Sequence, residues 1–123
     1  MMPYTALADE VISRFGEYLD GVPQVSLDAL TLHFQNGLVV QARFATPEEY
    51  SILWRYGEAE WRIDTAPRHP HLASFPNHRH DPDESVHADD LTRPGGSPQE
   101  NLAAVLTALL QDCSKLENKN PYG

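Results

Sequence analysis

Apolar positions along the chain follow two spacings, and the switches between them mark its elements. From residue 4 to 19, Tyr4, Leu7, Ala8, Val11, Ile12, Phe15 and Leu19 recur at three- and four-residue steps. That spacing predicts an amphipathic helix with one apolar stripe, stopped by Gly21 and Pro23. The period then drops to two. Leu30, Leu32 and Phe34 alternate with Ala29, Thr31 and His33, and Leu38, Val40, Ala42 and Phe44 alternate with Val39, Gln41 and Arg43. The larger apolar residues sit at even positions on both arms, so residues facing each other must have an even sum. A two-residue Asn-Gly turn would set Leu32 beside Gln41. A three-residue loop, Gln35–Asn36–Gly37 with glycine in the left-handed position, sets Leu32 beside Val40 and Phe34 beside Leu38, and is the loop predicted.

Beyond a break at Thr46–Pro47 the parity changes. Tyr50, Ile52, Trp54 and Tyr56 alternate with Ser51, Leu53 and Arg55; Ala59, Trp61 and Ile63 alternate with Glu60, Arg62 and Asp64. Apolar sets of opposite parity require a two-residue loop, and Gly57–Glu58, with glycine first, has the type II′ pattern. This register pairs Trp54 with Trp61, Ile52 with Ile63, Arg55 with Glu60 and Ser51 with Asp64.

Periodicity is lost from 65 to 96. Pro67, Pro70 and Pro76 remove backbone donors there, so the segment is predicted to be irregular and extended without forming a central strand. Phe75 is expected to pin it to the core, and the acidic, Gly/Pro-containing residues 81–96 are expected to be mobile. A final helix then begins with Ser97 as N-cap, Pro98 at the first helical position and Glu100 completing a capping box. Its stripe is Leu102, Val105, Leu106, Leu109, Leu110, Cys113 and Leu116, on which Cys113 reads as a packed core residue. The tail Asn118–Gly123 is expected to fray.

The fold class predicted is α+β: a single domain over residues 1–123, in the order α-β-β-β-β-α. A four-stranded antiparallel sheet carries both helices on one face, and a long His/Pro-rich loop precedes the C-terminal helix. The other face carries His33, Gln41, Arg43, Arg55, Arg62 and Asp64. Most of these belong to an ordinary solvated sheet surface. Arg43, Arg62 and Asp64 stand out because the fourth strand runs into a histidine cluster.

Composition narrows the function classes. The formal net charge is −9 in 123 residues, so the surface as a whole does not attract nucleic acid. The single cysteine excludes an internal disulfide. The start of the chain has no basic and apolar leader pattern, and no run of about 18 apolar residues occurs. A cytoplasmic protein without membrane association is expected.

Five of the six histidines lie between positions 69 and 87, four of them as His69–Pro70–His71 and His78–Arg79–His80. Residues two apart in an extended segment point to the same side, so each pair can converge on one small target. Two chemistries need that. In one, histidines serve as general base and general acid for RNA cleavage, taking the 2′-hydroxyl proton and protonating the 5′-oxygen. Asp64 orients an imidazole, and the interleaved Arg62, Arg68 and Arg79 stabilise charge on the phosphate. In the other, His69, His71, His78, His80 and Asp64 hold a divalent ion. A third class is a non-catalytic module that docks a protein through its sheet edge or aromatic residues.

The stretch Arg62-Ile-Asp64-Thr-Ala-Pro67-Arg-His69-Pro70-His71, followed by Phe75-Pro76-Asn-His78-Arg79-His80, resembles the signature of the TumE family, small toxins of toxin–antitoxin pairs. That family reads Tyr/Ile-Asp-Asn-Ala-Pro-His-His-Pro, then Phe-Pro-His-His-Lys-His, then an acidic loop and a C-terminal helix. Asp64, Ala66, Pro67, His69, Pro70, Phe75, Pro76, His78 and His80 match it; Thr65, Arg68, Asn77 and Arg79 depart from it. The resemblance implies a toxin with a cognate antitoxin as partner. Joined to the first chemistry, it gives a metal-independent ribonuclease with no cofactor. Asp64, His69, His78 and His80 are then the catalytic set, Arg43, Arg62, Arg79 and His71 the substrate-binding set, and RNA the substrate. A second copy of the chain is a further candidate partner. A helix followed by four antiparallel strands is also similar, at fold level, to ribonuclease toxins of the barnase–RelE group. Those toxins are commonly basic and this chain is acidic, yet residues 62–80 carry three arginines against one acid and leave room for a local positive patch.

Overall fold

A computed structural model of the chain describes residues 3–111. Helix α1 covers Tyr4–Phe15 and tightens into a single 3₁₀ turn at Gly16–Tyr18, so the expected helix over 4–19 ends as a narrower coil. Its stripe buries Leu7, Ala8, Val11 and Phe15, whereas Ile12 remains 46% exposed. Helix α2 covers Pro98–Gln111, with the Ser97 hydroxyl accepting from the Glu100 N–H at 3.1 Å as an N-cap. Cys113, Leu116 and the tail lie outside the described residues. Among the described residues no helix is long and apolar enough to cross a membrane.

Between the helices runs one antiparallel meander of seven strands in chain order, where four were expected. They are β1 (Gln24–Val25), β2 (Leu30–His33), β3 (Val39–Thr46), β4 (Glu49–Tyr56), β5 (Ala59–Asp64), β6 (His78–His80) and β7 (Val86–Ala88). The four central strands, β2 to β5, are those the alternation marks, in the registers that parity requires. Leu32 faces Val40, and the Phe34 N–H bonds the Leu38 carbonyl at 2.9 Å across a loop in which Gly37 takes φ 92°. Trp54 faces Trp61, Ser51 faces Asp64, and Gly57 carries the positive φ of 62° that the first position of a II′ turn demands.

The inward face of this sheet presents Leu30, Leu32, Val40, Ala42, Phe44, Ile52, Trp54, Trp61 and Ile63, all buried against the stripes of α1 and α2 in one core. Tyr4 fastens the start of α1 to the sheet: its hydroxyl accepts from the Phe44 N–H at 2.9 Å and donates to the Asp28 carbonyl at 3.0 Å.

Three short strands escaped the sequence reading for one reason: two or three residues carry too few alternations to show a period. The segment 65–96, expected to be irregular, contains β6 and β7. The prolines do not prevent this, because Pro76 ends two residues before the ladder begins at His78. Phe75 does not pin the segment; it is 44% exposed. Buried polar residues do so instead. Asn77 donates to the Asp89 carboxylate at 2.8 Å and to the Thr92 carbonyl at 3.1 Å, and the Asp89 N–H bonds the Ser74 hydroxyl at 2.9 Å. Asp89 also accepts from the backbone of Leu91 and Thr92. The acidic stretch expected to be mobile is therefore stitched to the core through one of its own carboxylates.

Tyr50 closes this network, its hydroxyl 2.7 Å from that of Thr92. Burial pushes its phenol up to about 12. In the unfolded chain the phenol ionises near 10, so the unfolded state loses this proton first as pH rises. Stability from this group is complete below pH ~10 and falls between ~10 and ~12. Denaturant titrations from pH 8 to 11.5 are expected to show the native chain losing about 1–3 kcal/mol more than Tyr50→Phe. Equal losses in the two proteins would contradict the assignment.

Candidate functional site

The outward face of the sheet is ordinary over β2 to β4 and becomes a site where β5 meets β6. Register does most of the assembly. Arg62 faces His80 and Asp64 faces His78 across the β5–β6 pair, so all four side chains leave the same face. Residues 65–77 join the two strands through successive turns, with Leu72 N–H bonded to the His69 carbonyl and Phe75 N–H to that of Leu72. This connection lays His69 against the strand pair, its ring 4.8 Å from His78 and 6.2 Å from His80, both edge-on.

The centre is tight. His78 Nε2 lies 3.0 Å from His80 Nε2 and 3.0 Å from Asp64 Oδ1, and His80 Nε2 lies 3.3 Å from Asp64 Oδ2. His78 is 1% exposed. Its Nδ1 sits 3.0 Å from the Pro76 carbonyl, which can only accept, so Nδ1 carries a proton and Nε2 is the nitrogen turned toward Asp64 and His80. Asp64 is held by the Ala66 N–H at 3.0 Å and by Arg62 Nε at 2.8 Å. Burial alone would raise its carboxyl, but these two donors outweigh it and keep the group below the usual carboxylate range. Burial, followed by the neighbouring Arg62 cation, lowers His80, so this imidazole is neutral at pH 7.

Beside this cluster opens a cleft of about 550 Å³, lined by Arg62, Asp64, Arg68, His69, His78 and His80 among others. Of the four residues expected to act together, Asp64, His69, His78 and His80, all are brought here. The substrate-binding set divides. Arg62 lines the cleft. His71 does not: residues 69–72 form a turn, not an extended pair, and His71 is exposed outside the cleft. Arg79 faces Ile63 on the other side of the sheet, where it is tied to Asp81 at 2.6 Å, so it is not at the rim. Arg43 shares the face of Asp64 but stands two strands away, opposite Ser51, and does not line the cleft.

Arg68, expected with Arg62 and Arg79 to stabilise charge on the phosphate though left out of the substrate-binding set, lines the cleft. Its position immediately before His69 was the available signal. Thr65 escaped the sequence pattern: its hydroxyl accepts from the Tyr50 N–H at 3.0 Å and so secures the exit of β5. As a chemical assembly, the cleft offers two partly accessible imidazoles (His69 and His80), one buried imidazole, one carboxylate held ionised, and two guanidiniums. The donor atoms of Asp64, His78 and His80 also lie close enough together to hold a metal ion.

No curated protein and no solved structure matches the chain. A family model, Toxin TumE, matches residues 8–116, which takes in the sheet, the described length of α2 and all but the first turn of α1.

Proposed function

The chain belongs to the TumE toxin family, and we propose that, as the toxin of a toxin–antitoxin pair, it acts by cleaving RNA in this cleft. The observation that carries the proposal is the meeting of His69, His80, Arg62 and Arg68 around one open cavity. Cleavage at a 2′-hydroxyl needs a base, an acid and positive charge near the phosphate, and those are the groups at hand. His80, neutral at pH 7, accepts the 2′-hydroxyl proton; His69 delivers one to the departing 5′-oxygen. Arg62 and Arg68 hold the phosphate. His78 is too buried to meet a substrate. With Asp64 it orients His80, which donates from Nε2 toward both and keeps the lone pair on Nδ1 free to accept a proton. The cognate antitoxin that the family implies would silence the toxin by covering the cleft or by holding the chain away from RNA.

The test is purified chain incubated with RNA, and with DNA of the same sequence, in the presence of a chelator. RNA should be cut, leaving 2′,3′-cyclic phosphate and 5′-hydroxyl ends, and DNA, which lacks the 2′-hydroxyl, should stay intact. Intact RNA would contradict the proposal. Cutting that stops with chelator and resumes with added cation would replace it by metal-dependent hydrolysis at the same residues.

A further inference from the structure

The polar atoms at the centre of the site crowd into one small space. His78 turns its Nδ1 to the Pro76 carbonyl at 3.0 Å and its Nε2 inward, 3.0 Å from His80 Nε2 and 3.0 Å from Asp64 Oδ1, while His80 Nε2 lies 3.3 Å from Asp64 Oδ2. Two imidazole nitrogens and a carboxylate thus converge beside the open cleft, each close enough to the others to share one ion. A cation at the centre turns these contacts into ligation.

The distances fit. Metal–ligand bonds of about 2.1 Å put neighbouring donors about 3.0 Å apart at right angles and about 3.4 Å apart in a tetrahedron. Here the two Nε2 atoms are 3.0 Å apart, and each lies near a different oxygen of Asp64, His78 at 3.0 Å from Oδ1 and His80 at 3.3 Å from Oδ2, so the carboxylate can offer either oxygen or both. The surroundings fit as well. A ligating histidine commonly gives its other N–H to a backbone carbonyl, as His78 does to Pro76, and a ligating carboxylate is itself held by donors, as Asp64 is by Ala66 and Arg62. The cleft leaves the remaining coordination positions to solvent.

We propose that Asp64, His78 and His80 form a site for one divalent cation of the zinc class, and that its occupation switches the cleft off. Two imidazoles with one carboxylate select borderline transition ions over magnesium or calcium, which prefer all-oxygen sites. A neutral imidazole has a single free lone pair. Once His80 carries its proton on Nδ1 and gives the Nε2 lone pair to the cation, none is left to take the proton of the 2′-hydroxyl, and occupancy excludes the base of the cleavage reaction. The binding claim stands on donor geometry alone; the switching claim rests on the acid–base reading above.

Calorimetric titration of the metal-free chain with Zn²⁺, and separately with Co²⁺ followed by its visible absorption, tests the site. One ion per chain is expected, with Kd in the micromolar range or below. His80→Ala should weaken binding at least 100-fold, and Asp64→Asn likewise, with circular dichroism confirming that both variants remain folded. His33→Ala, on β2 far from the cluster, should bind as the native chain does. No binding, or binding that His80→Ala and Asp64→Asn leave unchanged, would overturn the proposal. RNA cleavage measured in the same samples should fall at least tenfold on saturation with Zn²⁺ and return with chelator. One ion bound through these residues to a chain that never cuts RNA would uphold the site and refute the acid–base reading. Undiminished cleavage with the ion bound would overturn the switch alone.

Discussion

Trp61→Ala is expected to cost about 3–5 kcal/mol of folding stability. Trp61 is 5% exposed and Trp54 2%, and their rings stack across β4 and β5 with centroids 6.2 Å apart and planes 10° from parallel. Removing one indole deletes a large apolar surface from the centre of the sheet and leaves a cavity that the rigid ladder on either side cannot close. The neighbouring pair, Ile52 facing Ile63, would lose its packing partner on the same face. Urea titration of native and variant chains reads the difference directly. A loss below about 1 kcal/mol would mean that the indole lies at a surface, and would set the β4–β5 register in doubt.

The central hairpins were legible because their strands are long and one-sided. Six or more alternating residues on β4 and β5 define a face, and the change of parity between hairpins decides loop length as well: three residues at Gln35–Asn36–Gly37, two at Gly57–Glu58. β1, β6 and β7 escaped because strands of two or three residues carry too few alternations to show a period. His78 joins β5 through its place opposite Asp64, and β7 follows because β6 presents it with a free edge. The segment 81–96 misled for a different reason. An acidic, proline-containing stretch resembles a solvated loop in composition, yet Asp89 is 6% exposed and bonded to Asn77. One buried carboxylate with the right partners outweighs the average of its neighbours.

The site was legible in part. His78 and His80 do share a face, as residues two apart in a strand must, and Asp64 reaches them because Ser51 and His78 flank it in register on its two sides. The same rule failed at His69 and His71, since it presumes an extended backbone and a turn runs through Pro70. Arg79 was misplaced for the opposite reason, the rule not being applied to it. Interleaving with histidines in sequence means, on a strand, pointing away from them, and Arg79 sits beside Asp81 on the opposite face. Arg68 lies on no strand and reaches the cleft from the connection. No periodic rule could have selected it over Arg43.

The central claim is that the two partly accessible imidazoles in the cleft transfer the protons of RNA cleavage. His80→Ala and His69→Ala, measured under single turnover with saturating RNA and chelator present, test it most directly. Each variant should cleave about two to four orders of magnitude more slowly than the native chain, with unchanged circular dichroism and melting within a few degrees. Since the two groups act on the same event, the double variant should be little slower than either single one. Full cleavage rates in both folded single variants would contradict the claim and leave the cluster a purely structural feature of the β5–β6 pair.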